Sequence, residues 1–115
     1  MLKTDKLTES APETPDFYAE RKACVDRIKE LMKEKHTELA QAELWLKMAD
    51  IATREKGENA PEIGAYLSSA QAQMASPEVP HDAAYADACR RLAPLFAKFG
   101  RDAYAKQLLQ TASML

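Results

Sequence analysis

The side chains that could do chemistry in this 115-residue chain are histidines, cysteines, serines and clustered carboxylates, and each is poorly placed for it. His36 stands in the charged run Lys33, Glu34, Lys35 and Glu38, and His81 lies between Pro80 and Asp82. Zinc and di-iron sites need three or four convergent ligands. Neither histidine has a second ligand at the right spacing on one helical face, so both are read as surface or capping residues and no metal site is assigned. Cys24 and Cys89 form no Cys-x-x-Cys or Cys/His pattern and fall on apolar faces of predicted helices, which marks them as buried free thiols in a reducing, cytoplasmic setting.

Nucleophilic catalysis needs an activated Ser or Cys beside a base. Nothing in the sequence groups Ser68, Ser69 or either cysteine with a histidine. The three glycines, Gly57, Gly64 and Gly100, are too scattered to build a phosphate cradle, so no cofactor is implied. The expectation is a protein that is not an enzyme.

Charge narrows the partners. Lys and Arg total 16 against 18 Asp and Glu, a formal charge of -2, so no global field attracts nucleic acid or anionic lipid. A local basic group remains in Arg90, Arg91, Lys98, Arg101 and Lys106. With the helix, glycine turn and helix around it, this group invites a helix-turn-helix reading and hence a small DNA-binding regulator as the alternative function. Phe96, four residues before Gly100, opposes it, because that motif has a small residue there. The N-terminus has no apolar segment of secretory-signal length, and no apolar run could span a bilayer.

These residues must be carried by helices. Alanine is abundant and aromatics make up only 7%, a composition that favours helix over strand. Residues 1–13 are polar and are read as a flexible tail before a single helical domain over 14–115. Thr14, Pro15 and Asp16 supply a capping hydroxyl, a first-turn proline and an acid at the positive end of the helix dipole. Residues 16–56 contain no Gly or Pro. They repeat an apolar residue every seventh position at Tyr18, Val25, Met32, Leu39 and Leu46. Flanking lines of Cys24, Leu31, Trp45 and Ala52, and of Ile28, Ala42 and Ala49, widen this to a broad stripe interrupted by Lys35 and Glu38.

The preferred expectation is one helix of roughly 60 Å at about 1.5 Å per residue. The alternative is a hairpin broken near Lys35, His36 and Thr37, with Thr37 capping the second arm. Beyond it, Gly57 stops the helix, Asn59 and Pro61 start the next, and Ile63, Tyr66, Leu67, Ala70 and Met74 give its face. Asp82 caps a helix faced by Tyr85, Cys89, Leu92, Phe96 and Phe99, with Pro94 inside it predicting a kink. Gly100 ends that helix and Asp102 caps the last, faced by Ala105, Leu108, Leu109, Ala112 and Leu115. The expected fold is all-α with four to five helices: a long N-terminal amphipathic helix, or helical hairpin, packed with C-terminal antiparallel helices.

In the last thirty or so residues Cys89, Leu92, Ala93, Phe96, Gly100, Ala105, Leu109 and Ala112 resemble one tetratricopeptide (TPR) repeat, in which small residues let two antiparallel helices approach. Trp45, Met48, Ala49, Ile63, Leu67 and Ala70 resemble a second unit more loosely. The two stand further apart than the family's period of about 34 residues, and Pro94 departs from its pattern. An ordinary αα-hairpin with alanine-rich packing would carry the same residues. The resemblance implies a protein-binding groove.

Three C-terminal helices of about 22 Å would cover only half of a 60 Å rod. Phe17, Tyr18, Val25, Ile28, Leu31 and Met32 would then lack a partner within the chain, and an apolar stripe of that size marks an association surface. The functional expectation is a helical interaction protein (an adaptor, chaperone or inhibitor) that binds another protein and forms a homodimer through this stripe.

Overall fold

The computed structural model describes residues 16–115, and over these the chain is all-α, with five helices. They are α1 (Phe17–Leu31), α2 (Glu38–Lys56), α3 (Glu62–Met74), α4 (Ala83–Lys98) and α5 (Asp102–Ser113). The tail over 1–13, with Thr14 and Pro15, lies outside the described residues. Capping of α1 falls to Asp16, whose Oδ1 accepts from the Ala19 N–H at 3.0 Å.

Of the two expectations for residues 16–56, the single 60 Å helix is corrected and the hairpin broken near Lys35 to Thr37 is the one found. Helix α1 ends at Leu31, and residues 32–37 turn the chain back so that α1 lies along α2. Ion pairs between Arg21 and Glu55 and between Glu20 and Arg54 (2.6 Å) join the first turns of α1 to the last turns of α2, so the two run antiparallel. The reversal is made without glycine: His36 adopts φ 62°. This left-handed conformation costs a non-glycine residue about 1–2 kcal/mol, so tertiary packing must hold it. Thr37 stands before α2 but does not cap it. Its Oγ1 donates to the Leu31 carbonyl at 2.8 Å, closing the end of α1, and accepts from Gln41 Nε2 at 2.9 Å.

The later boundaries follow local chemistry. Gly57 (φ 96°) stops α2, and Asp82 Oδ1 caps α4 by accepting from the Tyr85 N–H at 3.0 Å. Helix α4 runs through Pro94 to Lys98. After it Gly100 (φ 94°) lets the Arg101 N–H reach back to the Phe96 carbonyl at 2.8 Å, satisfying an end carbonyl as a Schellman turn does. Asp102 does not cap α5; it is the first helical residue, after Arg101.

Helices α2 and α3 form one antiparallel pair and α4 and α5 another, with α4 set beside α2. Glu43 pairs with Arg91 (3.0 Å) and Asp50 with Lys98 (3.2 Å), so α2 and α4 run parallel, and the second hairpin repeats the orientation of the first. Arg101 stitches the pairs together by donating to the Gly64 carbonyl at 3.3 Å, to Ser68 Oγ at 3.4 Å and to Gln71 Oε1 on α3.

Two apolar clusters result. The main one draws on α2 to α5, with Leu46, Ala49, Ala70, Met74, Leu92 and Phe96 at its centre. The smaller one, Cys24 with Met48 and Ile51, lies between α1 and α2, with Phe17, Val25 and Trp45 packed around it. On α5, Leu109 and Leu115 leave the expected buried face and are about half exposed. Phe96→Ala is therefore expected to lower the unfolding free energy by about 3–5 kcal/mol, and Leu109→Ala to change it by no more than about 0.5 kcal/mol, as read from urea titrations.

Candidate functional site

Because α2 and α4 touch over only a short span, a groove of about 540 Å³ opens between them, within the usual range for binding clefts. Its floor is apolar, built from Ala40, Leu44 and Leu46 on α2 and Leu95 and Phe99 at the end of α4. Its rim is charged, with Glu43, Lys47, Asp50 and Lys98. Glu43 is paired with Arg91, and Asp50 with both Arg54 (3.0 Å) and Lys98. Lys47 makes no ion pair among the described residues. It also borders, with Leu44, a smaller cleft between α1 and α2 that holds Cys24, so Leu44 and Lys47 form the ridge between two hollows.

The stripe expected to be open is largely closed by the chain itself. Ile28 and Leu31 are each 4% exposed inside the hairpin, and Phe17 and Val25 are half-buried against the smaller cluster. Tyr18 and Met32 remain open to solvent, at 71% and 67% exposure. The buried face follows the flanking line of Cys24 and Leu31, with Ile28 between them, about 100° round the helix from the line through Tyr18, Val25 and Met32, which falls at the edge of the seam or in solvent. Of the groove residues the sequence singles out only Leu46 and Phe99, as parts of helix faces, and Lys98, in the basic group. No local signal pairs Leu44 with Leu95.

The titratable groups are arranged for packing. Burial raises the Cys24 and Cys89 thiols above their ordinary value, against a lowering by Lys47 at Cys24 and by Tyr85 at Cys89. Both are free and buried. Burial likewise pushes Tyr85 and Tyr104, which flank Cys89, up to about 12. His36 lines a cleft of about 220 Å³ with Glu38 and Asp82, but no Ser, Thr or Cys stands among its lining residues, and Asp82 is engaged as a cap. His81 stacks on Tyr85 with ring centroids 4.2 Å apart. Among the described residues no three His, Cys, Asp or Glu side chains converge as metal ligands, and no helix is long and apolar enough to cross a membrane. Of the basic group, Arg90, Arg91 and Lys98 are paired with Asp87, Glu43 and Asp50, and Arg101 is engaged by α3.

No protein-family model, no curated protein and no solved structure matches the chain.

Helices α1, α2 and α4 are tied by a chain of ion pairs, Glu20 to Arg54 to Asp50 to Lys98. The Arg54 guanidinium holds Glu20 below the usual carboxylate range. Burial alone would raise Asp50, but hydrogen bonds from Arg54 and Lys98 outweigh it and the net shift is downward. Depressed folded-state values mean stability that is present above the unfolded value of about 4 and lost as pH falls through the folded values. Trp45 fluorescence in urea should give constant stability between about pH 5 and pH 8, a loss at higher pH where the buried thiols ionise more readily in the unfolded chain, and a decline below about pH 5. That decline should be shallower in Glu20→Gln and Asp50→Asn.

Proposed function

We propose that the protein is a non-enzymatic interaction module that receives an amphipathic helix of a partner protein in the groove between α2 and α4. The observation that carries this reading is the groove's composition: an apolar floor of Ala40, Leu44, Leu46, Leu95 and Phe99 beside Lys47, a rim cation without an ion-pair partner among the described residues. A helix with aliphatic residues on one face and a carboxylate towards Lys47 is the complementary ligand. Charge opposite Lys47 sets orientation and specificity, and burial of the aliphatic side chains supplies affinity. Two parallel αα-hairpins offering a groove also fit the proposed TPR-like kinship, although matching residues on α2 and α4 are 48 apart, more than that family's period of about 34. The buried free thiols favour a reducing, cytoplasmic setting. Recognition of DNA finds less support, because pairing within the fold occupies most of the basic group that would meet phosphate.

Selection from a library of helical peptides tests the proposal. The expected winners carry aliphatic residues at i, i+3 or i+4, and i+7, with an Asp or Glu alongside. Ala40→Arg, which fills the groove from an exposed position, should weaken them at least tenfold, and Lys47→Glu by about fivefold with preference passing to basic peptides. Peptides that bind Ala40→Arg as well as the parent would contradict it.

A further inference from the structure

We propose that residues 1–15 of this chain seat in its own groove between α2 and α4, so that a partner helix has to displace them. The regulation rests on the groove being the binding site; the seating itself is measured with no partner present.

Three observations carry it. First, the segment is tethered at the mouth of the groove. Ala40, Glu43, Lys47 and Asp50 border the groove and follow one another at three- and four-residue steps, which sets them along one line of α2. Arg54 continues that line by one turn. It pairs with Asp50 at 3.0 Å, and its guanidinium lies 5.6 Å from the centre of the Phe17 ring. Asp16, the residue before Phe17, therefore stands where the line leaves the groove, and residues 1–15 are joined there. Second, the length fits. Leu44 and Lys47 lie seven to ten residues back from Arg54 along α2, about 11–15 Å. Leu7 precedes Asp16 by nine residues, a reach of about 13 Å as helix and up to about 30 Å extended. Pro12 and Pro15 disfavour a helix continuous with α1, so the sequence does not favour prolonging α1 past the end of the groove. Third, the chemistry is complementary. Asp5 and Glu9 each stand two residues from Leu7, so a leucine laid beside Leu44 and Leu95 brings a carboxylate towards Lys47, which makes no ion pair among the described residues. The rim carries both signs, with Glu43 and Asp50 as well, so Lys3 and Lys6 do not face a purely cationic edge. A weak contact is enough, because a short tether holds its ligand at an effective concentration on the order of 1 mM. With an intrinsic Kd of about 0.3 mM the segment fills the groove about three-quarters of the time and weakens an outside ligand about fourfold.

The test uses the full chain with a nitroxide attached through Thr8→Cys. Cys24 and Cys89 are buried, so the added thiol is the one that reacts under native conditions. Paramagnetic broadening of the amide NMR signals should be greatest at Leu44, Lys47 and Leu95. Adding Leu7→Asp should cut that broadening by about threefold or more, since a charge in place of the leucine cannot rest on the apolar floor. In the unlabelled chain Leu7→Asp should bind helical peptides directed to the groove about fourfold tighter, as read by calorimetry. Unchanged amide shifts in α3 and α5 confirm that the fold is intact. Broadening that Leu7→Asp leaves as it was reports the tether alone and would overturn the proposal. Broadening centred on Tyr18 and Lys29, on the outer side of α1, would overturn it too, as would equal peptide affinity in the two chains. If helical peptides bind neither chain, the reading of the groove as a partner site fails by itself, and the broadening at Leu44, Lys47 and Leu95 still decides the seating.

Discussion

The structure depends on the width of the apolar surface on α2. Gln41, Ala42, Leu46, Met48, Ala49, Ile51 and Ala52 are all buried, and at about 100° per residue they cover more than half of the helix circumference. An ordinary surface helix buries a stripe of about 100° and needs a neighbour on one side. Helix α2 needs several. Helices α3 and α4 cover the side of Leu46 and Ala49, and α1 covers Met48 and Ile51. Gln41, the one buried polar side chain among them, is satisfied by Thr37 and so adds no unpaired group.

Small residues determine how close those neighbours come. Ala42, Ala49 and Ala52 on α2, Ala70 on α3, Ala86 and Ala93 on α4, and Ala105 and Ala112 on α5 are all buried. They favour helix while keeping side-chain bulk out of the seams. Larger side chains then fill the layer between the hairpins, where Phe96 meets Tyr104 edge to face at 4.8 Å. Where α2 and α4 meet without such filling, Leu44, Leu95 and Phe99 are left lining a hollow. The groove is thus a consequence of setting two tightly packed hairpins side by side.

Much of this was readable from residue types. The all-α class, the stops at Gly57 and Gly100, the cap at Asp82 and the buried faces of α3 and α4 each rest on a local rule that the structure obeys. The reversal after Leu31 was readable only as an alternative, from the weakening of the apolar stripe at Lys35 and Glu38. Residues 32–37 hold no glycine, proline or asparagine, so the turn rests on His36 in an unfavoured conformation and on Thr37 bonding backward; both follow from α1 packing on α2, not from the turn itself. That one reversal also decided the fate of the N-terminal stripe, hiding Ile28 and Leu31 while leaving Tyr18 and Met32 in solvent. The groove was hidden for a related reason. Its two walls are paired through residues 48 positions apart, a separation no helical periodicity reports.

Two apolar clusters of unequal size hang on one helix, and the account predicts that they are unequally stable. Residue-resolved native-state hydrogen exchange measures this directly. Amides of Val25 to Ile28 in α1 should exchange through an opening of lower free energy than those of Leu46 and Leu92, which should exchange only with global unfolding. Equal exchange free energies for α1 and for the main core would mean a single cooperative unit, and would contradict the division of the molecule into a core and a separately held helix.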